Sequence, residues 1–237
     1  MSCDDPKRLF INATFRASST WVLDKLLLVY EARMNDAAWE FYNTVEGSRD
    51  SAALQGKIWE RQVHNFVHSR TIPLTLTAIS LEGQPATTWD VPVGVCRRSF
   101  DIRSFLCILE DAIQKRIPSY LVPLVPNFPT IDSLLYKPDE PFRAIQITKA
   151  SRHPADVAGF KRIQQWMKLK SLASPLRPSA AKPWHFVFVV PSGAADTFTK
   201  QSLIGTETDV RVWAKKIKQF VVELPKEEVL KTEPSSH

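Results

Sequence analysis

The stretch that decides the fold is PTIDSLLYKPDEPFRAIQITKASRHP, residues Pro129–Pro154. Its two apolar runs, TIDSLLYKP and FRAIQIT, flank turn-forming residues and predict two short strands joined by a turn. The first run has an acid at its start, Asp132, and the second has an amide, Gln146, where a core residue is expected. A buried amide needs hydrogen-bond partners. The stretch therefore allows two interpretations, which are polar groups satisfied at strand ends or the lining of a metal-dependent cleavage site.

Helical and strand patterns alternate on both sides of this stretch. Apolar residues at helical spacing predict helices over residues 18–47, 48–70, 102–116, 154–173 and 206–220. Runs with strand composition cover residues 72–81, 87–95, 119–126, 130–138, 142–148 and 184–191. The last of these, WHFVFVVP, is apolar almost throughout, which is typical of a strand buried on both faces. Strands alternating with helices predict an α/β core with a mixed sheet.

Composition limits the partners and the compartment. The chain has 237 residues and is 44% hydrophobic, which is enough for one large core with a helical extension. Its formal net charge of +6 suits an anionic partner, nucleic acid first, although a mildly basic protein without such a partner has the same charge. Three cysteines without a CxxC pair give no disulfide framework and indicate a reducing compartment.

Several classes of function lack their signatures. Neither GxxxxGK[ST] nor GxGxxG occurs, so the sequence predicts no nucleotide-phosphate cradle of these types. His64 and His68 lie four residues apart, but they lack an HExxH context, which favours the polar side of a helix over a metal pair. The N-terminal segment MSCDDPKRLF lacks the pattern of a signal peptide, and no run of eighteen apolar residues predicts a membrane span.

One group of polar residues has the composition of a metal site. In a hairpin the start of one strand lies beside the end of the next, so Asp132 and Gln146 are expected to be neighbours. Glu60 lies on an earlier predicted helix, beside its apolar stripe. Magnesium takes oxygen ligands from one or two carboxylates, supplemented by neutral oxygens, water and phosphate. Phosphodiester cleavage also needs a metal-bound water and a cation near the developing charge.

These residues resemble the pattern of the PD-(D/E)XK nuclease superfamily, with Glu60 in IWERQVH, Asp132 in PTIDSLLY and Gln146 in AIQITK. That family puts a helical Glu before a three-stranded meander, an Asp on the middle strand and (E/Q)-x-K on the next. The strings WVLDKLLLVYEAR, FYNTVEGSRDSAALQGKIWERQVHNF, IQITKASRHP and WHFVFVVP further resemble the C-terminal region of fungal Crinkler effectors, which are related to retrotransposon hot spot proteins. The resemblance covers roughly residues 15–225 of the chain.

The resemblance implies a restriction-endonuclease-like mixed α/β sheet flanked by helices, with an N-terminal helical extension. We expect the extension over residues 1–50, the nuclease-like domain over 51–225 and a polar tail over 226–237. It also implies DNA as the partner, magnesium or manganese as the cofactor, and a site of action in the nucleus or cytoplasm, often of a host cell. A P-loop NTPase domain usually precedes the family's nuclease-like domain, so another chain would supply it here.

The chain departs from the pattern at the lysine. Thr148 occupies the position of the family's Lys, and Lys149 follows one residue later, on the opposite strand face unless a bulge intervenes. Lys149, Lys161 and a protonated His153 are the alternative cations. The predicted catalytic residues are Glu60, Asp132, Gln146 and Lys149, the first three as metal ligands, with Thr148, His153 and Lys161 as accessory residues.

A basic cluster follows the hairpin, around one predicted helix and its loop. Phosphate contacts need this kind of sequence-independent positive surface. The predicted nucleic-acid-binding residues are Lys161, Arg162, Lys168, Lys170, Arg177 and Lys182.

Two hypotheses of function result. The first is a metal-dependent DNA endonuclease that hydrolyses phosphodiesters. The second is a catalytically degenerate nuclease fold that binds DNA or a partner protein as an effector module. Asp132 and Glu60 favour the first hypothesis, and the Gln-Ile-Thr triplet at 146–148 favours the second. The pattern leaves the oligomeric state open.

Overall fold

The structure, a computed structural model, describes residues 52–91, 95–125 and 128–230. The chain divides into two units after Ile58, within the first helix given below, and all other elements belong to the second unit. The predicted helix over residues 18–47 and the predicted extension over 1–50 lie outside the described residues.

Helices and strands alternate along the described chain. The helices are α1 (Ala52–Ser69), α2 (Ile102–Lys115), α3 (Val157–Met167), α4 (Glu207–Trp213) and α5 (Lys226–Leu230). The strands are β1 (Leu74–Ser80), β2 (Thr87–Val91), β3 (Cys96–Phe100), β4 (Ser119–Pro123), β5 (Ser133–Tyr136), β6 (Arg143–Ile147), β7 (Ala155–Asp156), β8 (Trp184–Pro191), β9 (Leu203–Ile204) and β10 (Ile217–Leu224). The short turns Ser174–Leu176 and Ala195–Thr197 are 3₁₀ helices.

Eight of these strands form one mixed sheet, in the order β2-β1-β10-β8-β6-β5-β4-β3. The centre is parallel, because β10 and β6 both run parallel to β8. Strands β4, β5 and β6 form an antiparallel meander, and β3 joins β4 in parallel. The predicted mixed α/β sheet flanked by helices is confirmed. Strands β7 and β9 form a separate two-stranded parallel pair.

The two faces of the large sheet are covered differently. Helices α2, α3 and α4 contribute to one aromatic core, in which Phe160 lies 4.9 Å from Phe186 and 5.4 Å from Trp213 between ring centroids. Helix α1 covers the other face, where His64 reaches Tyr120 of β4. Strand residues alternate between the faces. Each face of the meander therefore presents a different set of side chains.

The predicted closing helix over 206–220 is wrong in its second half. Helix α4 ends at Trp213, and Ile217–Leu224 is strand β10, a central strand parallel to β8. Lys215 and Lys216 precede this run and Lys218 lies within it, a pattern that a helix with an exposed basic face also shows. The run IKQFVVEL is mostly buried. The buried Gln219 is satisfied there by donating to the Gln201 carbonyl oxygen at 2.9 Å and accepting from the Gln201 amide at 2.8 Å.

Two other predicted segments differ from the structure. The predicted strand over 87–95 ends at Val91 in β2, and Cys96 begins a separate strand at the other edge of the sheet. Residues Lys226–Leu230 form α5 with Val229 and Leu230 buried, so this part of the predicted polar tail is a helix. No helix in the described part of the chain has the length and apolar composition to cross a bilayer.

Candidate functional site at the carboxyl edge of strand β6

Asp132 and Gln146 meet because β5 and β6 pair in antiparallel register. Ser133 lies opposite Ile145, which places Asp132 beside the end of β6. The Asp132 amide donates to the Ile145 carbonyl oxygen at 2.9 Å, and the Ile147 amide donates to Asp132 Oδ2 at 2.6 Å. The Asp132 carboxylate therefore accepts the hydrogen bond that a backbone carbonyl of β5 would otherwise accept. It adds one hydrogen bond to the β5–β6 pairing at the end of β6.

Gln146 completes the contact with this carboxylate. Its side-chain amide donates to Asp132 Oδ2 at 3.4 Å, a long hydrogen bond. Its carbonyl oxygen, Oε1, is buried and accepts no hydrogen bond from any described residue. Leaving a buried acceptor unsatisfied costs about 1–3 kcal/mol. The pair therefore places a carboxylate beside an amide oxygen that needs a donor or a cation.

The residues after β6 form a second part of the same edge. Thr148 Oγ1 accepts from the Ala150 amide at 3.0 Å and lies 3.5 Å from His153 Nδ1. The His153 amide donates to Gln201 Oε1 at 2.6 Å, which fixes the loop. Burial lowers the pKa of His153, so its ring is neutral at pH 7. The lowered pKa disfavours the protonated form of His153, which is one of the three alternative cations.

The predicted lysines differ in their surroundings. Lys149 is the second residue after the end of β6, is half-buried and takes part in an interaction. Lys161 on α3 donates to Asp209 Oδ2 at 2.8 Å, so its charge is paired. No lysine occupies the strand position of Thr148.

Glu60 belongs to a different polar group. Its Oε1 lies 3.9 Å from His64 Nε2, and His64 Nδ1 lies 2.7 Å from the Tyr120 hydroxyl. Ser133 donates to that same hydroxyl at 2.8 Å. The group is largely buried, since His64, Tyr120 and Ser133 are each less than 5% exposed. The only local signal for this group is a weak one, a serine at the start of an apolar strand.

Register places this group on the face opposite Gln146. Ser133 pairs directly with Ile145, so their side chains share the face that α1 covers. Gln146 is the next residue and projects to the other face, together with Ala144 of the aromatic core. The structure thus brings Asp132 and Gln146 together and leaves Glu60 across the sheet from Gln146.

The loop before Asp132 is held tightly against α3. A Cβ added at Gly159 would lie 2.0 Å from the carbonyl oxygen of Pro129. Only glycine permits so close an approach of the helix to the loop. The loop that leads into Asp132 is positioned by this contact.

The donor set fits a divalent ion only in part. Among the described residues, no group of three or more His, Cys, Asp or Glu side chains is arranged to hold a metal ion. Asp132 and Gln146 provide one carboxylate and one amide oxygen. Magnesium is often bound by one or two carboxylates with water and substrate phosphate completing its shell. The pair therefore fits a divalent ion whose shell is mostly water and phosphate.

The predicted nucleic-acid-binding residues fall into two groups. Lys170 pairs with Glu110 at 2.8 Å, as Lys161 does with Asp209. The guanidinium of Arg162 lies 5.3 Å from the Phe128 ring centroid. Lys168 and Lys182 are exposed and have no ion pair with any described residue. These two lysines are the most available of the set for phosphate.

No family model, curated protein or solved structure matches this chain. The relation to the PD-(D/E)XK nucleases stays a prediction from the residues named above. From α2 to β8 the order is helix, three-stranded meander, the short strand β7, helix and strand. The helix directly before the meander is α2, whereas Glu60 lies on α1.

Proposed function

We propose that the chain is a metal-dependent endonuclease of the PD-(D/E)XK type that hydrolyses phosphodiesters in DNA. The observation that supports this proposal is the contact of the Gln146 side chain with the Asp132 carboxylate, in which the buried Oε1 of Gln146 has no partner among the described residues. A magnesium or manganese ion held there would supply a nucleophilic water and would stabilise charge on the phosphate.

The chain's own residues prepare this site in two ways. The Ile147 amide holds Asp132 Oδ2 at 2.6 Å, which fixes the carboxylate before a ligand arrives. The Gln146 side-chain amide donates to Asp132 Oδ2, so the two side chains are already in contact, and rotation of the amide would turn its oxygen towards an ion bound there. Lys149 is the nearest predicted cation in sequence, and Lys168 and Lys182 are exposed for contacts with DNA phosphates.

A specific observation favours the second function, a degenerate nuclease fold that binds DNA or a partner protein. Thr148 stands where the family has lysine, and its hydroxyl is committed to the Ala150 amide. Glu60 contacts His64 on the other side of the sheet from Gln146. For both functions, the resemblance implies that the protein acts in the nucleus or cytoplasm, including that of a host cell. It also implies a P-loop NTPase partner supplied by another chain.

The deciding experiment is nicking of supercoiled plasmid in magnesium or manganese, with wild type beside Asp132→Asn. Asparagine retains an acceptor for the Ile147 amide but removes the negative charge. The matched control is Asp156→Asn, whose carboxylate accepts from the Ala158 amide at 2.8 Å as the cap of α3. We expect nicking by wild type and the control and at least a hundredfold loss, about 3 kcal/mol, in Asp132→Asn.

Two outcomes separate the functions. A folded wild type that retards DNA in a salt-dependent manner but does not nick it in either metal would establish the binding module. Nicking that persists in Asp132→Asn would contradict the proposed site, whatever its source.

A further inference from the structure

A cavity of about 490 Å³ lies at the other end of the sheet from Asp132 and Gln146. Strands β6, β8 and β10 are parallel, and the cavity is bordered by the first residues of β8, Trp184 and His185. Its volume is typical of small-molecule sites. All of its lining residues belong to the second unit and are described.

The floor of this cavity is aromatic and rigid. Phe142 and Trp184 are buried, with ring centroids 5.3 Å apart, and Tyr136 lies beside them in the lining. Trp184 Nε1 donates to the Leu176 carbonyl oxygen at 2.6 Å, which connects the floor to the 3₁₀ helix at Ser174–Leu176. Pro175 and Pro183 stiffen the segments on either side. Phe142 and Trp184 are only 3% and 1% exposed, so the apolar surface that a ligand would meet is that of the more exposed Leu172, Pro175 and Leu176 in the lining.

The rim of the cavity has an excess of positive charge. Four cationic side chains and two carboxylates line it, namely Arg116, Arg177, Lys182, Lys218, Asp139 and Glu140. Both carboxylates are already paired, Asp139 with Arg116 and Glu140 with Lys137 and Arg143. Lys182 and Lys218 have no ion pair with any described residue, and Arg177 donates only to the Ser174 hydroxyl. These three cations remain available to an anion.

We propose that this cavity is a binding site for a nucleoside phosphate, with the base against the apolar lining at Leu172, Pro175 and Leu176 and the phosphate at Arg177, Lys182 and Lys218. Small-molecule sites combine an apolar lining with a few placed polar groups, and charge-assisted contacts from Lys and Arg bind phosphate. The inference does not depend on the proposed nuclease function, because the cavity shares no residue with the Asp132–Gln146 pair. The phosphate belongs either to a free mononucleotide or to the end of a nucleic acid strand.

His185 provides a reporter inside the cavity. Its ring lies 4.5 Å from the Phe220 ring between centroids. Burial, followed by the charges of Arg143 and Lys218, lowers the pKa of His185 to about 4. A phosphate bound at Lys218 would offset part of that positive field. Its arrival should raise the pKa of His185, which proton NMR can follow.

The test titrates the full chain with AMP, GMP, CMP and UMP in a calorimeter, beside inorganic phosphate and adenosine. We expect at least one mononucleotide to bind with a Kd at or below about 1 mM, at least about tenfold tighter than phosphate or adenosine. The double variant Lys182→Ala/Lys218→Ala should weaken that binding about tenfold or more. Lys215→Ala removes an exposed charge outside the cavity lining and should change Kd less than about twofold.

The variants also control for folding. Lys182→Arg/Lys218→Arg keeps the charge and should restore binding, while a thermal melt checks that the alanine variant remains folded. Failure of all four mononucleotides to bind below about 10 mM would overturn the proposal, since such binding is weaker than a formed site gives. Equal binding by the alanine variant, or an unchanged His185 titration in saturating nucleotide, would also overturn it.

A second arm identifies the source of the phosphate. A ten-nucleotide oligothymidine is titrated with and without a 5′-phosphate, against UMP. Tighter binding of the phosphorylated oligonucleotide than of UMP, lost in Lys182→Ala/Lys218→Ala, assigns the site to strand ends. Tighter binding of UMP assigns it to free nucleotides, and both results support the ligand chemistry.

Discussion

The two ends of the central sheet have opposite chemistry. At the carboxyl edge of β6, an acid and an amide lie together, and the acid is built into the backbone ladder. At the amino edge of β6 and β8, an aromatic cavity of about 490 Å³ is rimmed by cations. Ligands of open α/β sheets usually bind outside the carboxyl ends of the strands. In this chain the carboxyl edge has the metal-ligand chemistry, whereas the cavity of ligand size lies at the other edge.

One end of the sheet holds polar side chains in fixed positions, and the other end encloses a cavity. Asp132 and Gln146 occupy positions that strand pairing dictates, so their geometry is rigid. The cavity is formed by loops and by the turn at Ser174–Leu176, so its charges lie on side chains free to follow a ligand. Variants at each end can therefore test whether the two ends act independently.

The largest effect is expected from Gly159→Ala at the carboxyl edge. The added methyl would lie 2.0 Å from the Pro129 carbonyl oxygen, so α3 or the loop before Asp132 must move. We expect a loss of about 3 kcal/mol or more in the free energy of unfolding, measured by urea denaturation. Gly56→Ala is the matched helical control, because its Cβ meets no described atom within 4 Å; it should stabilise by up to about 1 kcal/mol. Equal stability of the two variants would show that the carboxyl edge is not held by this contact.

The next effect concerns acid sensitivity at the cavity. The folded pKa of His185, about 4, lies below its ordinary 6.5, so the unfolded chain binds the proton more tightly. Stability from neutral His185 is complete above about pH 6.5 and is lost as the pH falls towards 4, by about 2–3 kcal/mol. His185→Gln should remove this part of the pH dependence in urea titrations. His153→Gln, at the opposite edge, should remove less, because burial alone lowers the pKa of His153. A larger loss of pH dependence in His153→Gln than in His185→Gln would contradict this prediction.

A smaller effect is expected from Gln146→Glu. The new carboxylate would lie about as close to Asp132 as the amide does, 3.4 Å in the native chain. In a chelator, repulsion between the two acids should cost about 1–2 kcal/mol of unfolding free energy. Magnesium should restore the loss and raise the Tm of this variant more than that of wild type. A Tm that magnesium leaves unchanged in both proteins would argue against a metal site at this edge.

The smallest effect distinguishes the exposed lysines. Lys168→Ala should lower the slope of log Kd for DNA against log salt by about 0.9, because one phosphate contact is lost. Lys161→Ala should change that slope less, because Lys161 is paired with Asp209 at 2.8 Å. Each variant should change the free energy of unfolding by no more than about 0.5 kcal/mol. Fluorescence anisotropy over a salt series measures the slope, and identical slopes for both variants would place the DNA contacts elsewhere.

Local pattern was sufficient for much of the fold. The predicted helix over 102–116 and the predicted strand over 184–191 match α2 and β8 closely, since their apolar periods are clear. Strand β10 was mistaken for helix because a short apolar run flanked by lysines fits either period. Its parallel pairing with β8 depends on contacts over 33 residues of sequence, such as Ile217 with Trp184, which no local pattern encodes.

The candidate site was predictable where it depends on one hairpin. Asp132 and Gln146 meet because β5 and β6 are adjacent, so the geometry of a hairpin is sufficient to predict their contact. The position of Glu60 depends on which face α1 covers, and nothing in its local sequence specifies that face. The cavity was missed for the same reason, since it combines β8, β10 and two loops that are distant in sequence.

Because the Ile147 amide donates to Asp132 Oδ2, the exchange of this one amide proton with solvent would report a ligand bound at Asp132. The last rung of the ladder is a side chain rather than a peptide carbonyl, so a ligand that draws Oδ2 away releases the amide. The end of β6 would then fray by one residue, and the Ile147 amide proton would exchange with solvent faster while its neighbours inside the sheet stay protected. A ligand that uses only Oδ1 would leave that exchange rate unchanged, so one amide distinguishes two modes of binding.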